Sequence, residues 1–263
     1  MDSVNKTLYI PLYGKAYVSR KGLFLHDPKA EEIWAAEGFP LKGKSKSKWL
    51  AYHMGMRSAV FDRWVQDRLR QFPEAAVLHI GCGMDSRHLR LGTGGPWYDV
   101  DFPEVTRERR KYYEETATYH MIGSDIREDG WLEALPQYRQ VIVVMEGVSM
   151  YLAPDALKAF LAALCGRFSG VSLLTDCYTR FGAKASKYKN PINDVGVTLV
   201  YGIDNAGELE EGTGLSFVAE HALTPAELIE ALSGTEKIIF RSLFAGSFAK
   251  KIYRLYEYRS GEV

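Results

Sequence analysis

The sequence predicts a doubly wound α/β fold, a Rossmann-like and mostly parallel sheet with helices on both faces and an antiparallel strand at its C-terminal end. Two observations predict it. Short apolar runs alternate with helical patterns over about a hundred residues, and such alternation requires crossovers that lie on one face of a sheet or the other. The first run enters a glycine turn followed by a helical pattern, the arrangement by which open α/β sheets receive a ligand.

The runs that read as buried parallel strands are Ala76 to Gly81, Trp97 to Asp101, Thr118 to Gly123, Gln140 to Glu146 and Gly170 to Tyr178. Between the last two, Pro154 opens a helix with Leu157, Phe160, Leu161, Leu164 and Phe168 on one face and Gly170 as a stop. Pro103 and Glu104 start another helix after the second strand. Upstream, Trp49, Tyr52, Met56, Val60 and Trp64 recur at helical spacing, so residues 49–72 form a long amphipathic helix expected to lie across the sheet. Downstream, TPAE at 224–227 reads as a capping box with Thr224 as cap and Glu227 reaching back. Lys237 to Phe244 and Lys250 to Tyr258 read as two closing strands. Residues 179–223 carry six glycines without a sustained period and are expected to be a substrate lid. The chain is thus expected to be one domain, 1–263: an N-terminal helical cap (1–74), a ligand-binding core (75–178), the lid (179–223) and a C-terminal helix with strands (224–263).

Composition narrows the function. With 33 Lys and Arg against 33 Asp and Glu, no whole-molecule field favours a nucleic acid or an anionic membrane. The three cysteines, Cys82, Cys165 and Cys177, lack metal-ligand or disulfide spacing, which suits a reducing, cytoplasmic setting and predicts no metal. No secretory leader or membrane-length apolar run is evident. The lysines of KGKSKSK at 42–48 read as a solvated loop.

The sharpest motif is VLHIGCGMDSR at 77–87. Gly81 and Gly83 permit a tight turn and a close backbone approach to a ligand, but the third glycine of a dinucleotide fingerprint is replaced by Ser86. A GxGxD turn, with Asp85, suits S-adenosylmethionine, which has no pyrophosphate to hold. Strand tips then deliver acids to one edge. Asp101 of YDVDF, with Asp99 as the fallback, could accept both hydroxyls of a ribose diol. Asp125 of GSDIRE, beside Ile126, could meet an adenine, and Glu146 of MEGVSMYL stands at the switch point.

These blocks, with YGKAYVSRKGLFLHDPKA and MRSAVFD, resemble the leucine carboxyl methyltransferase family, which includes polyketide O-methyltransferases of the tetracenomycin type. The resemblance covers most of the chain. It implies a class I methyltransferase that uses S-adenosylmethionine and releases S-adenosylhomocysteine. It further implies that Lys15 and Arg57 hold the methionine carboxylate, that Gly81 and Gly83 line the donor, that Asp101 takes the ribose and Asp125 the adenine. Glu146 and Tyr151 would lie near the sulfonium and the acceptor. A Lys and an Arg converging on a carboxylate also make independent chemical sense.

The expected reaction is in-line transfer to an oxygen, preferentially a carboxylate of a small polyketide-like molecule, because a carboxylate is already ionised at neutral pH and no base is evident. The alternatives are a phenolic or alcoholic acceptor, an NAD-dependent oxidoreductase and a non-catalytic donor-binding protein. Expected partners are a small molecule and, compatibly, further copies of the chain as a homo-oligomer. His79 and His120 read as packing residues within strands; His88, after the glycine turn, and His53, on the helix that bears Arg57, could each approach the pocket as a base for a hydroxyl acceptor, but solvated or structural roles are favoured. Cys82 is small enough for the glycine turn and is not expected to be reactive.

Overall fold

The computed structural model describes residues 5–37, 39, 41, 43–92, 94–128, 130–186 and 199–261. Part of the expected lid, 187–198, lies outside the described residues. The helices are α1 (Tyr9–Arg20), α2 (Pro28–Glu37), α3 (Lys48–Gln71), α4 (Arg87–Leu91), α5 (Pro103–Arg109), α6 (Gly130–Glu133), α7 (Pro154–Arg167), α8 (Arg180–Ser186), α9 (Ala226–Glu230), α10 (Gly234–Phe244) and α11 (Ser247–Lys250). The strands are β1 (Ala76–Ile80), β2 (Trp97–Asp101), β3 (Tyr119–Gly123), β4 (Gln140–Met145), β5 (Gly170–Tyr178), β6 (Ser216–Glu220) and β7 (Tyr253–Ser260). They form one sheet in the order β3-β2-β1-β4-β5-β7-β6. β1 to β5 are parallel, and β7 runs antiparallel to both of its neighbours.

Both faces of the sheet are covered, which is why its strands read as nearly continuous apolar runs. By the period of two, Leu78, Ile80, Val141, Val143 and Met145 face α6 and α7, where Leu157, Phe160, Leu161 and Leu164 complete the layer. The alternate residues Val77, Ile142 and Val144 face Val60, Phe61, Trp64 and Val65 of α3. The long helix therefore lies across the sheet as its periodicity predicts. Ser47 starts it, accepting the Trp49 N–H at 3.3 Å.

Three expectations are corrected. Lys237 to Phe244 is helix α10, not a strand. Phe240 and Phe244, four residues apart, meet the rings of Tyr52 and Trp49, so tertiary packing decides an apolar run too short to declare its own period. The strand beside β7 is instead β6, inside the stretch expected to be a lid, and its side chains are mostly exposed, leaving no buried alternation to reveal it. Thr224 does not cap the following helix. Pro225 takes the cap position without a side-chain bond, and Glu227 pairs outward with Arg63 at 2.8 Å.

The chain builds β1, β2 and β3 in one direction from the middle of the sheet and then β4 and β5 in the other. The switch point lies between β1 and β4. In open α/β sheets a ligand site forms outside the carboxyl ends of the strands at this crevice. Residues 80–83, 101, 124–126 and 146–151 all emerge there.

Candidate active site

A cavity of about 1050 Å³ opens at that edge, at the upper end of the range for small-molecule sites and roomy enough for two ligands side by side. Its floor is the glycine turn. Gly81 and Gly83 hold φ of +63° and +51°, where a side chain is strained. A Cβ on Gly81 would also fall 2.3 Å from Val148 of the turn after β4, so this glycine lets the two central loops close on each other. Ser86 is buried and donates to Asp27 at 2.5 Å. A polar contact thus occupies the place of a third glycine, against the oxidoreductase reading.

Asp101 lies at the tip of β2 and lines the cavity. Its carboxylate accepts the Gly83 N–H at 2.7 Å and the Phe102 N–H at 2.8 Å. A carboxylate offers about four lone-pair sites. Two are occupied by backbone and two remain, the number a vicinal diol needs. Burial pushes the carboxyl up to about 6, against the two backbone bonds and Arg109, which favour the charge. Asp99, the fallback, is excluded from the cavity: it is buried in an ion pair with Arg109 and accepts from Tyr119 at 2.7 Å.

Asp125 and Ile126 follow β3 and also line the cavity. The Asp125 carboxylate is gripped by Arg127, whose Nε lies 2.9 and 3.0 Å from its two oxygens and whose hydrogen bonds hold its pKa below the usual range. Ile126 packs against the sheet core and offers an apolar surface to a planar ring.

Lys15 and Arg57 both reach the cavity, but they are not free cations. Lys15, on α1, donates to Asp85 at 2.6 Å with both side chains buried. Arg57, on α3, donates to Glu146 and to Asp176, each at 3.0 Å. Glu146 is shared with Arg87, which is completely buried and also binds Asp62 at 2.6 Å, His79 at 3.1 Å and Ser58 at 3.2 Å. Burial opposes the Glu146 charge, but Arg87, Arg57 and Lys15 outweigh it and hold the carboxyl down to about 2. Tyr151 lines the cavity from the short 3-10 turn Ser149–Tyr151, and burial raises its phenol well above the ordinary value.

The remaining expectations separate cleanly. His79 is buried between Asp99 and Arg87, and His88 stacks on Tyr119 at 3.7 Å, so neither enters the cavity as a free group. Burial pushes the Cys82 thiol up, away from the reactive thiolate. Of the two histidines that could approach the pocket, His53 lines the cavity. Asp176 was missed. It lies two residues before the end of β5, one past the last β4–β5 pair Met145–Thr175, accepts the Gly147 N–H at 2.6 Å and a hydrogen bond from Tyr253 Oη at 2.8 Å, and holds Arg57 in place. The strand-tip pattern that singles out Asp101 and Glu146 passes over it, because β5 continues two residues beyond. Among the described residues no group of three or more His, Cys, Asp or Glu is arranged to hold a metal, and no helix is long and apolar enough to cross a membrane.

Comparison with known proteins now decides the family. The leucine carboxyl methyltransferase profile matches residues 8–165. This chain belongs to the leucine carboxyl methyltransferase family. Tetracenomycin polyketide synthesis O-methyltransferase TcmP of Streptomyces glaucescens is 27% identical to this family member over 97% of both chains. The S-adenosyl-L-methionine-dependent methyltransferase dpfgK of Gibberella zeae is 31% identical over 64% of this chain and 61% of its own. In fold, the magnesium protoporphyrin IX methyltransferase ChlM of Synechocystis PCC 6803, solved with bound SAH, superposes with a TM-score of 0.53 at 14% identity, over 94% of this chain and 97% of ChlM.

Proposed function

We propose that this protein is an S-adenosylmethionine-dependent O-methyltransferase acting on an oxygen of a small, largely apolar molecule. The observation that carries the reading is Asp101: a cavity-lining carboxylate at the second strand tip, tied by Gly83 to the glycine turn and left with acceptor capacity for a diol. In this reading Gly81 and Gly83 line the donor, Asp101 takes its ribose, and Asp125 and Ile126 its adenine. Lys15 and Arg57 take its carboxylate, while Glu146 and Asp85 offer acceptors to its ammonium. The donor's mixed charge matches a site in which each cation already sits beside an acid.

When bound, S-adenosylmethionine supplies a methyl group activated by its sulfonium. The residues' task is alignment and exclusion of water, which together supply most of the acceleration in such a displacement. Glu146, locked between Arg57 and Arg87, is ionised throughout the neutral range and favours positive charge beside it. Tyr151 stays a neutral phenol. The acceptor side is walled by Trp49, Leu50, Met54, Leu243 and Phe244, which suits an apolar body with one polar oxygen.

The family resemblance favours a carboxylate as that oxygen. A second reading, a hydroxyl, is favoured by His53, whose ring faces the cavity. Calorimetry should show S-adenosylmethionine and S-adenosylhomocysteine binding, and absence of both overturns the donor assignment. Transferred label distinguishes the acceptors: a methyl ester releases methanol in alkali, and an aryl methyl ether retains its label.

A further inference from the structure

The acceptor-facing side of α3 has an order. Trp49, Leu50, His53, Met54 and Arg57 all line the cavity at spacings of three and four. Trp49 and Leu50 stand at the apolar end. Arg57 stands at the other, bonded to Glu146 at the switch point. His53 lies one turn, ~6 Å of helix rise, from each end. It is the junction between the wall that would hold an acceptor's body and the charged edge assigned to the donor. Among the described residues its ring nitrogens have no hydrogen-bond partner, although His79 beside the same cavity is bonded on both sides. Those nitrogens are not sealed within the protein, as Nδ1 of His88 is, but open to the cavity, where an incoming oxygen can reach them.

We propose that His53 meets the acceptor oxygen and takes its proton, so that the acceptor is a hydroxyl on an apolar, ring-sized body. This rests on the methyltransferase reading above. The oxygen forms its bond to the methyl carbon as the carbon–sulfur bond breaks, and that electron pair leaves with sulfur, which becomes a neutral thioether. The hydroxyl proton passes to His53. Burial, and then the charge of Arg57, push the imidazole down to about 4, so the ring is neutral at pH 7 and able to accept. A base this weak suffices because a methylated oxygen that still carries its proton is a strong acid, and transfer becomes downhill as the new bond forms. A carboxylate acceptor would gain less, since a neutral ring offers it no countercharge.

The test uses the full chain with 2-naphthol and 2-naphthoic acid as probes, labelled S-adenosylmethionine, and the variants His53→Ala and His53→Gln. S-adenosylhomocysteine affinity should be the same in all three proteins. Label transfer to 2-naphthol should fall ~100-fold or more in both variants and be partly restored to His53→Ala by imidazole. Binding of 2-naphthol to the S-adenosylhomocysteine complex should weaken in His53→Ala but hold in His53→Gln, whose amide oxygen still accepts the hydroxyl. Transfer to the acid alone, no transfer to the naphthol, or an unchanged naphthol rate in the variants overturns the proposal while leaving the donor site standing. Failure of the wild type to bind S-adenosylhomocysteine overturns the methyltransferase reading itself.

Discussion

Replacing Asp101 by asparagine tests the donor site most directly, because the substitution keeps size and removes charge. An ionised carboxylate facing a diol makes two charge-assisted bonds, each contributing ~1.5–3 kcal/mol. An amide retains one acceptor and turns its NH2 toward the other hydroxyl. A loss of ~3 kcal/mol is expected, about 150-fold in affinity for S-adenosylhomocysteine at pH 8. The wild type should also show a pH dependence. Its carboxyl is pushed up to about 6 by burial, so below that value the free protein is protonated where the diol needs an anion. Affinity should fall about fivefold between pH 6 and pH 5, and Asp101→Asn should not follow this slope.

Stability moves in the opposite sense. A carboxyl with a raised folded pKa binds protons more readily when folded, so its contribution is favourable below 4 and declines as pH rises from about 4 to 6. Two pKa units correspond to ~3 kcal/mol. Asparagine avoids that cost above pH 6, but its NH2 opposes one of the N–H donors of Gly83 and Phe102, a penalty of ~1–3 kcal/mol. Urea denaturation should therefore find the variant close to wild type at pH 8 and less stable at pH 4.5. Undiminished affinity at pH 8, or a wild-type affinity flat from pH 8 to 5, would refute the assignment of Asp101 to the ribose.

Two further substitutions probe the charged edge. Glu146→Gln leaves Arg57 and Arg87 buried without their shared acid and should cost ~3–5 kcal/mol in urea denaturation at pH 7; because the wild-type carboxyl sits at about 2, its own contribution is complete above 4.5 and lost only as pH falls through 2. A loss below 1 kcal/mol would show that the pairs are not formed. Lys15→Met leaves Asp85 paired with Arg90 at 2.9 Å, so the fold should survive. Calorimetry should then find S-adenosylhomocysteine bound at least ~10-fold more weakly and methylthioadenosine, which lacks the carboxylate, unchanged; equal losses for both ligands would remove Lys15 from carboxylate recognition.

The sheet was legible because its signals are local. Buried on both faces, β1, β2, β4 and β5 appear as apolar runs at the expected residues, and Pro154 and the glycine turn mark where the chain changes state. Where burial is one-sided or absent, the signal fails. KIIFRSLF satisfies either period over so few residues, and β6 has almost no buried side chain. The site divides the same way. Strand-tip position locates Asp101, Asp125 and Glu146, but it says nothing of their partners. Lys15 is 70 residues from Asp85, and Arg57 is 119 from Asp176. Only the fold shows that Asp99 turns inward to Arg109 while Asp101, two residues on, opens to the cavity.

That pairing alters the meaning of two residues expected to wait for the donor's carboxylate. An unpaired Lys or Arg buried at this edge would cost several kcal/mol of lost hydration. The acids that compensate Lys15 and Arg57, Asp85 and Glu146, belong to the glycine turn and the switch-point loop, the two segments proposed to lie against the donor. Compensation and recognition are thus met by one set of side chains. A ligand carrying ammonium and carboxylate groups on one carbon can add to these pairs without breaking them, its cation meeting the acids and its anion the bases. Dipoles fixed before binding need no reorganisation when charge shifts during transfer. A ligand bearing the anion alone would confront Asp85 and Glu146 as well as their partners. In the donor assignment proposed above, the arrangement would select for the zwitterionic end of the donor, with a local balance of charge that the equal totals of acids and bases in the sequence could only permit.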